Sequence, residues 1–164
     1  MDNVKLHQNT QDAFCFVKDH IDGADLYKEF YIYVDVSGKS VKDSPYDATW
    51  AFAVLGLSID DTVKFIGALS GPVIILQDHS QFVGCERETN STAEITAMLW
   101  ALSWLLQPST SSLFTEGFAK AEMWFGSTYA ADSATLSTRP KTNIFVVDAV
   151  AAFVTAVSYQ FDLT

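Results

Sequence analysis

Cysteine is scarce in this sequence, with only Cys15 and Cys85 among 164 residues. That excludes a disulfide framework, and neither residue has a His or a second Cys at metal-binding spacing. Both read as small packing residues, and a reducing intracellular compartment, cytoplasmic or nuclear, is the expectation. Long apolar runs are missing too. None reaches the length of about 20 residues that a membrane-spanning helix needs, and the opening Met1–His7 has no apolar core of a signal peptide. Basic residues are few, ten against twenty acidic, for a net charge of −10. They are scattered, with loose groups at Lys39/Lys42 and Arg139/Lys141. Broad affinity for nucleic acid needs clustered Lys and Arg, so this balance argues against it. An acidic surface instead suits solubility, a basic partner or divalent cations. No repeat, low-complexity tract or Pro/Gly/Ser linker divides the chain. Its 49% apolar and 13% aromatic content, with a mean hydropathy of +0.14, suits one globular domain.

The most informative stretch is Phe30-Tyr31-Ile32-Tyr33-Val34-Asp35-Val36-Ser37-Gly38. Aromatic and β-branched residues in a run predict a strand buried on both faces. Burying Asp35 beside it costs several kcal/mol if its charge has no partner. Two readings follow. A nearby cation removes that cost and makes Asp35 a metal ligand, or Asp35 simply caps the turn at Ser37-Gly38.

Residues 1–29 are mixed polar with short apolar pieces and predict an N-terminal extension, in part helical. After Gly38, a polar connection containing Pro45 leads to a second strand, Thr49–Leu57. Asp60-Asp61 marks a turn into a third, Thr62–Leu69. Gly71-Pro72 is expected to interrupt that strand, with Val73–Leu76 continuing it or adding an edge, and Gln81–Cys85 to be extended. The period then changes. Apolar residues at Ile95, Met98, Leu99, Leu102, Leu105 and Leu106 follow the 3.6-residue period of a helix. Asn90, Ser91 or Thr92 can cap it, and Glu94 in its first turn is favoured by the helix dipole by about 0.3–1 kcal/mol. Trp100 and Trp104, one turn apart, read as packing residues. Pro108–Ser112 reads as a loop, Ala119–Phe125 as a strand and Ser127–Ala134 as a short helix. A second long helix capped by Thr142 or Asn143 is expected through about Ala156, and Val157–Leu163 as the last strand. Three antiparallel strands followed by helix, strand, helix, strand imply an α/β fold with a mixed sheet and helices on its faces.

These residues resemble the type 1 ribonuclease H family. Val34-Asp35-Val36-Ser37-Gly38 resembles its first motif. Glu88-Thr89-Asn90-Ser91-Thr92-Ala93-Glu94 is similar to its second, a Thr-Asn-Asn-x-Ala-Glu pattern opening the first helix. Trp50-Ala51-Phe52, Ser127–Ala131 and Pro140–Asn143 fall at matching places, so the likeness covers residues 30–164. It implies an RNase H-like domain whose family hydrolyses the RNA strand of RNA–DNA hybrids with two divalent ions, Mg²⁺ or Mn²⁺. It assigns Asp35 and Glu94 as catalytic metal ligands. Two carboxylates about 4 Å apart repel by roughly 4 kcal/mol at an effective dielectric of 20. Divalent cations cancel that repulsion, activate water and stabilise the leaving oxygen.

The pattern is incomplete. The third family carboxylate falls at Gly126, which has no side chain. Asp132 lies six positions on, about 9 Å of rise and 240° of rotation along a helix, so it is a poor substitute. Asp148 reads as a solvated residue of the following helix. The fourth carboxylate, a nearby His and a final helix follow the last strand in the family, where this sequence has reached Thr164. Asp162 lies inside that strand, and His7, His20 and His79 do not match the His. The sequence thus supports two functions: weak or lost metal-dependent ribonuclease activity, or a non-catalytic RNase H-fold module binding a protein or nucleic-acid partner.

Overall fold

The computed structural model describes residues 26–38, 47–111, 113, 119–137 and 140–164. Strand β1 (Tyr27–Gly38) starts three residues before the expected domain boundary. It buries Phe30, Ile32 and Val34 on one face and leaves Tyr33 and Asp35 exposed on the other. The expectation of a strand buried on both faces is therefore corrected: the tyrosines at every second position are the outward half of an alternating pattern, which aromatic content had masked. The extension expected at residues 1–29 lies outside the described residues up to residue 25.

Strand β2 (Ala48–Ser58) alternates buried and half-buried residues along its whole length, and β3 (Val63–Pro72) pairs with it at the sheet edge. Between them Asp60 Oδ1 accepts from the Thr62 N–H and Asp61 takes φ +66°, a turn built from Asp side chains. Gly71 and Pro72 do not interrupt β3. They end it, because an edge strand tolerates a residue without an N–H, and the Pro72 carbonyl accepts from Trp50 Nε1 at 2.9 Å. Residues 73–76 leave the sheet, and 81–85 are irregular rather than extended. Gly84, at φ +92°, passes so close to Phe145 that a Cβ would lie 2.6 Å from the Phe145 Cβ.

Helix α1 (Asn90–Leu105) is capped by Thr89, one residue before the expected candidates, whose hydroxyl accepts from the Thr92 N–H. Ile95, Leu102, Trp104 and Leu105 are buried against the inner residues of β1 and β2. Trp100 stacks on Trp50 with centroids 5.8 Å apart, a packing role as expected. The Pro108 segment is a helical turn, α2 (Pro108–Ser111), not a loop. Strand β4 (Ala119–Trp124) runs parallel to β1 and leads into α3 (Thr128–Ala134). Helix α4 (Ile144–Ser158) packs beside α1 on the same side of the sheet, burying Val146, Val147, Val150 and Val157. It takes Val157 and Ser158 from the expected last strand, so β5 is only Phe161–Leu163. The sheet order is β3-β2-β1-β4-β5, three antiparallel strands followed by two parallel ones. The fold expected from the order of elements is the fold observed.

Candidate functional site

Asp35 and Glu94 lie on different elements, β1 and α1. The two-residue period of β1 sends Asp35 to the face opposite α1, beside Ala51 of β2. There it is exposed, and its Oδ1 accepts from the adjacent Val36 N–H at 2.8 Å. It lines a cleft of about 270 Å³ with Ser37, Thr49 and Ser70, above Trp50 and Gly71. The end of β1 lies hard against the start of α1: a Cβ on Gly38 would come within 2.5 Å of Asn90 Oδ1. The Ser37-Gly38 pair thus serves close approach as well as ending the strand.

Glu94 is the fifth residue of α1, beyond its first turn, and is buried at 5% exposure. Its carboxylate does not act on its own helix. Oε1 accepts from the N–H groups of Gly126 and Ser127, both at 2.8 Å. Ser127 is the N-cap of α3 and accepts from the Ala130 N–H. The Glu94 charge therefore sits at the head of a different helix from the one expected, clamping α1 to the β4–α3 turn. Charge-assisted bonds of this kind are short and contribute about 1.5–3 kcal/mol each.

Gly126 lies two residues beyond the end of β4, where its N–H reaches Glu94. A Cβ there would meet nothing closer than Glu94 Oε1 at 3.6 Å. Asp132 is exposed and accepts from Ser137 Oγ at 3.1 Å, away from this point. Asp148 and Asp162 are exposed on α4 and β5, and His79 accepts from the Gln81 N–H. His7 and His20 lie outside the described residues, as do Cys15, Lys39, Lys42 and Arg139. Among the described residues no three His, Cys, Asp or Glu side chains come together as a metal-holding group.

Sequence reasoning missed two parts. The N–H pair that receives Glu94 belongs to backbone, so no residue type announces it. Asn143, expected only as a cap, stands at the N-cap position of α4 with φ +60° and makes no capping bond. It is 4% exposed. Its Oδ1 accepts from the Glu86 N–H at 2.9 Å, and its Nδ2 donates to Thr92 Oγ1 at 3.1 Å, joining three segments around the start of α1. Cys85 is buried as expected, 3.3 Å from Thr96 Oγ1, and burial pushes its thiol pKa up.

No protein-family model and no curated protein matches the chain. Among solved structures, it is similar to the crystal structure of prototype foamy virus (PFV) protease-reverse transcriptase. That match has 17% identity and a TM-score of 0.50 and covers 84% of this chain and 17% of that one. The solution structure of the PFV RNase H domain is matched at 17% identity and a TM-score of 0.44, over 85% of this chain and 77% of that one. The chain thus spans about a sixth of the protease-reverse transcriptase (17%). With the observed sheet order and strand directions, the fold is RNase H-like. No helix among the described residues is long and apolar enough to cross a membrane.

Proposed function

We propose that this chain is an RNase H-fold domain of the type 1 ribonuclease H lineage that binds a partner and does not cut nucleic acid. The observation that carries the reading is the use of Glu94. Where the family pattern has a third carboxylate, this chain has Gly126, and its N–H, together with that of Ser127, holds Glu94 Oε1. The carboxylate clamps two elements instead of facing a second acidic side chain. Asp35 is likewise turned to the opposite sheet face and bonded to its own strand. These residues do not fit a two-metal centre. Two ions held in line need several carboxylates converging on one point, whereas Glu94 Oε1 already accepts two N–H groups and no three acidic side chains converge among the described residues.

A second reading is residual Mg²⁺- or Mn²⁺-dependent hydrolysis of the RNA strand of an RNA–DNA hybrid, with Asp35 and Glu94 as ligands. It is favoured by the contact between Glu94 and the end of β4, which keeps two of the family's positions adjacent, and by the room for a side chain at Gly126. One experiment separates the readings. An end-labelled RNA–DNA hybrid is incubated with the wild-type chain and with Asp35→Asn in Mg²⁺ and in Mn²⁺. The expected outcome is no cleavage above the Asp35→Asn level. Cleavage by the wild type that disappears in the variant establishes the ribonuclease reading instead.

The Gly126→Asp variant tests the placement of the site without an activity. A carboxylate about 4 Å from Glu94 costs roughly 4 kcal/mol at an effective dielectric of 20. In chelator the variant is therefore expected to melt below the wild type, and Mn²⁺ is expected to restore it while leaving the wild type unmoved. A variant whose melting ignores Mn²⁺ places residue 126 away from any metal position.

A further inference from the structure

We propose that the sheet face turned away from α1 and α4 is a docking surface for a protein partner presenting an amphipathic, basic segment. The proposal rests on the binding-module reading and names the chemistry of the partner. Paired residues on neighbouring strands share a face, so the register puts Phe65, Leu55, Tyr31 and Glu122 in one row, and Ala68, Ala53, Tyr33 and Trp124 in the next. Phe65, Trp124 and Tyr33 are 65%, 54% and 44% exposed. The Tyr33 and Trp124 rings stack at 6.3 Å and 15°. Exposed contiguous apolar surface of this kind marks interaction sites.

Charge selects the occupant. Carboxylates border this surface, with Asp35 at one end, Glu122 within it and Asp162 beyond Lys120 on β5. Lys120, the basic side chain placed among them, is engaged by Glu29 at 2.6 Å. Nucleic acid would bring phosphates against this rim. A second copy would bring the same rim and another net charge of −10. Residues 1–25 carry five Asp and two Lys and are acidic themselves. A segment with apolar residues on one side and Lys or Arg flanking them meets both the rings and the carboxylates.

The test uses the full chain and a fluorescein-labelled 18-residue Leu/Lys peptide of helical period, with a Leu/Glu peptide of the same pattern as control. The Leu/Lys peptide is expected to raise anisotropy on titration and to shield Trp124 from acrylamide; the Leu/Glu peptide does neither. Tyr33→Ser/Trp124→Ser is expected to weaken binding at least tenfold, and Asp132→Asn, on α3, to leave it within twofold. Should the double aromatic variant not fold by circular dichroism, Glu122→Gln/Asp162→Asn serves in its place, with a loss of severalfold expected at low salt. Binding indifferent to these substitutions, or no binding, overturns the proposal. So does a Trp124 already shielded in the free chain: sedimentation then assigns the cover to a second copy if the chain is dimeric, and to residues 1–25 if it is monomeric. Hybrid cleavage in the earlier experiment would sink the non-cleaving reading while leaving this peptide result standing.

Discussion

Glu94 joins two elements through a single carboxylate oxygen. Two backbone N–H groups hold its carboxylate, so Glu94→Ala removes two charge-assisted bonds. A loss of about 3 kcal/mol is expected, read as a fall in Tm of about 6–12 °C for a domain of this size. In Glu94→Gln the amide oxygen still accepts, and less than half of that loss is expected. A carboxylate held in readiness for a cation would give the opposite sign, because removing an uncompensated buried charge stabilises. Thermal melts of the two variants in chelator decide between the signs. The place of Glu94 near the start of a helix was legible in the sequence, from the capping residues before it. Its partners were not, since main-chain donors carry no residue signature. That Gly126 cannot ligate could be read directly, because it has no side chain.

Among the elements, the junction before α4 illustrates a different limit. Asn143 holds a left-handed conformation and bridges Glu86 to Thr92. A side chain other than Gly or Asn there costs about 1–2 kcal/mol in backbone strain, and two buried hydrogen bonds add a similar amount. Asn143→Ala is therefore expected to lower stability by about 3 kcal/mol, and Asn143→Gly by less because glycine relieves the strain. Hydrogen exchange should speed at the Glu86 amide in both variants; unchanged exchange there would mean that the bridge does not hold the segment. The run of aromatic and β-branched residues located β1, and periodicity located α1, whose apolar positions repeat at the helical period. It misplaced Gly71-Pro72 and residues 157–158, where the deciding factors were an edge position and the length of a neighbouring helix. Neither is encoded in a local window.

For the molecule as a whole, the shifted groups point to an alkaline limit. Burial raises the Cys85 thiol pKa. Partial burial and then the neighbouring Glu29 carboxylate raise the Tyr31 phenol, and the hydrogen bond to Glu29 raises the Lys120 ammonium. For each, the folded value lies above the unfolded one, so the contribution is fully present below the unfolded pKa and is lost as pH rises through the folded one. Stability is expected to decline from about pH 8.5 upward, Cys85 first, then Tyr31 and Lys120. Asp60 works in the other direction. The Thr62 hydroxyl and N–H hold its pKa down, so its small contribution is lost in acid, as pH falls through that lowered value. Urea midpoints at pH 8, 9, 10 and 11 test the alkaline limb, and Cys85→Val should remove its earliest part. A midpoint that stays level to pH 11 would contradict the assignment.

The pairing of β1 with β4 joins positions about ninety residues apart, as the Lys120–Glu29 contact at a separation of 91 illustrates. The β1–β2–β3 meander closes over far shorter loops and can assemble first, because closing a longer loop costs more chain entropy before any contact rewards it. The parallel seam is then the late event in folding. Until it closes, β1 presents an unpaired edge to other chains, and the nascent protein passes through an aggregation-prone interval. Trp124 lies at that seam against Tyr33, so formation of that ring contact marks the end of that interval.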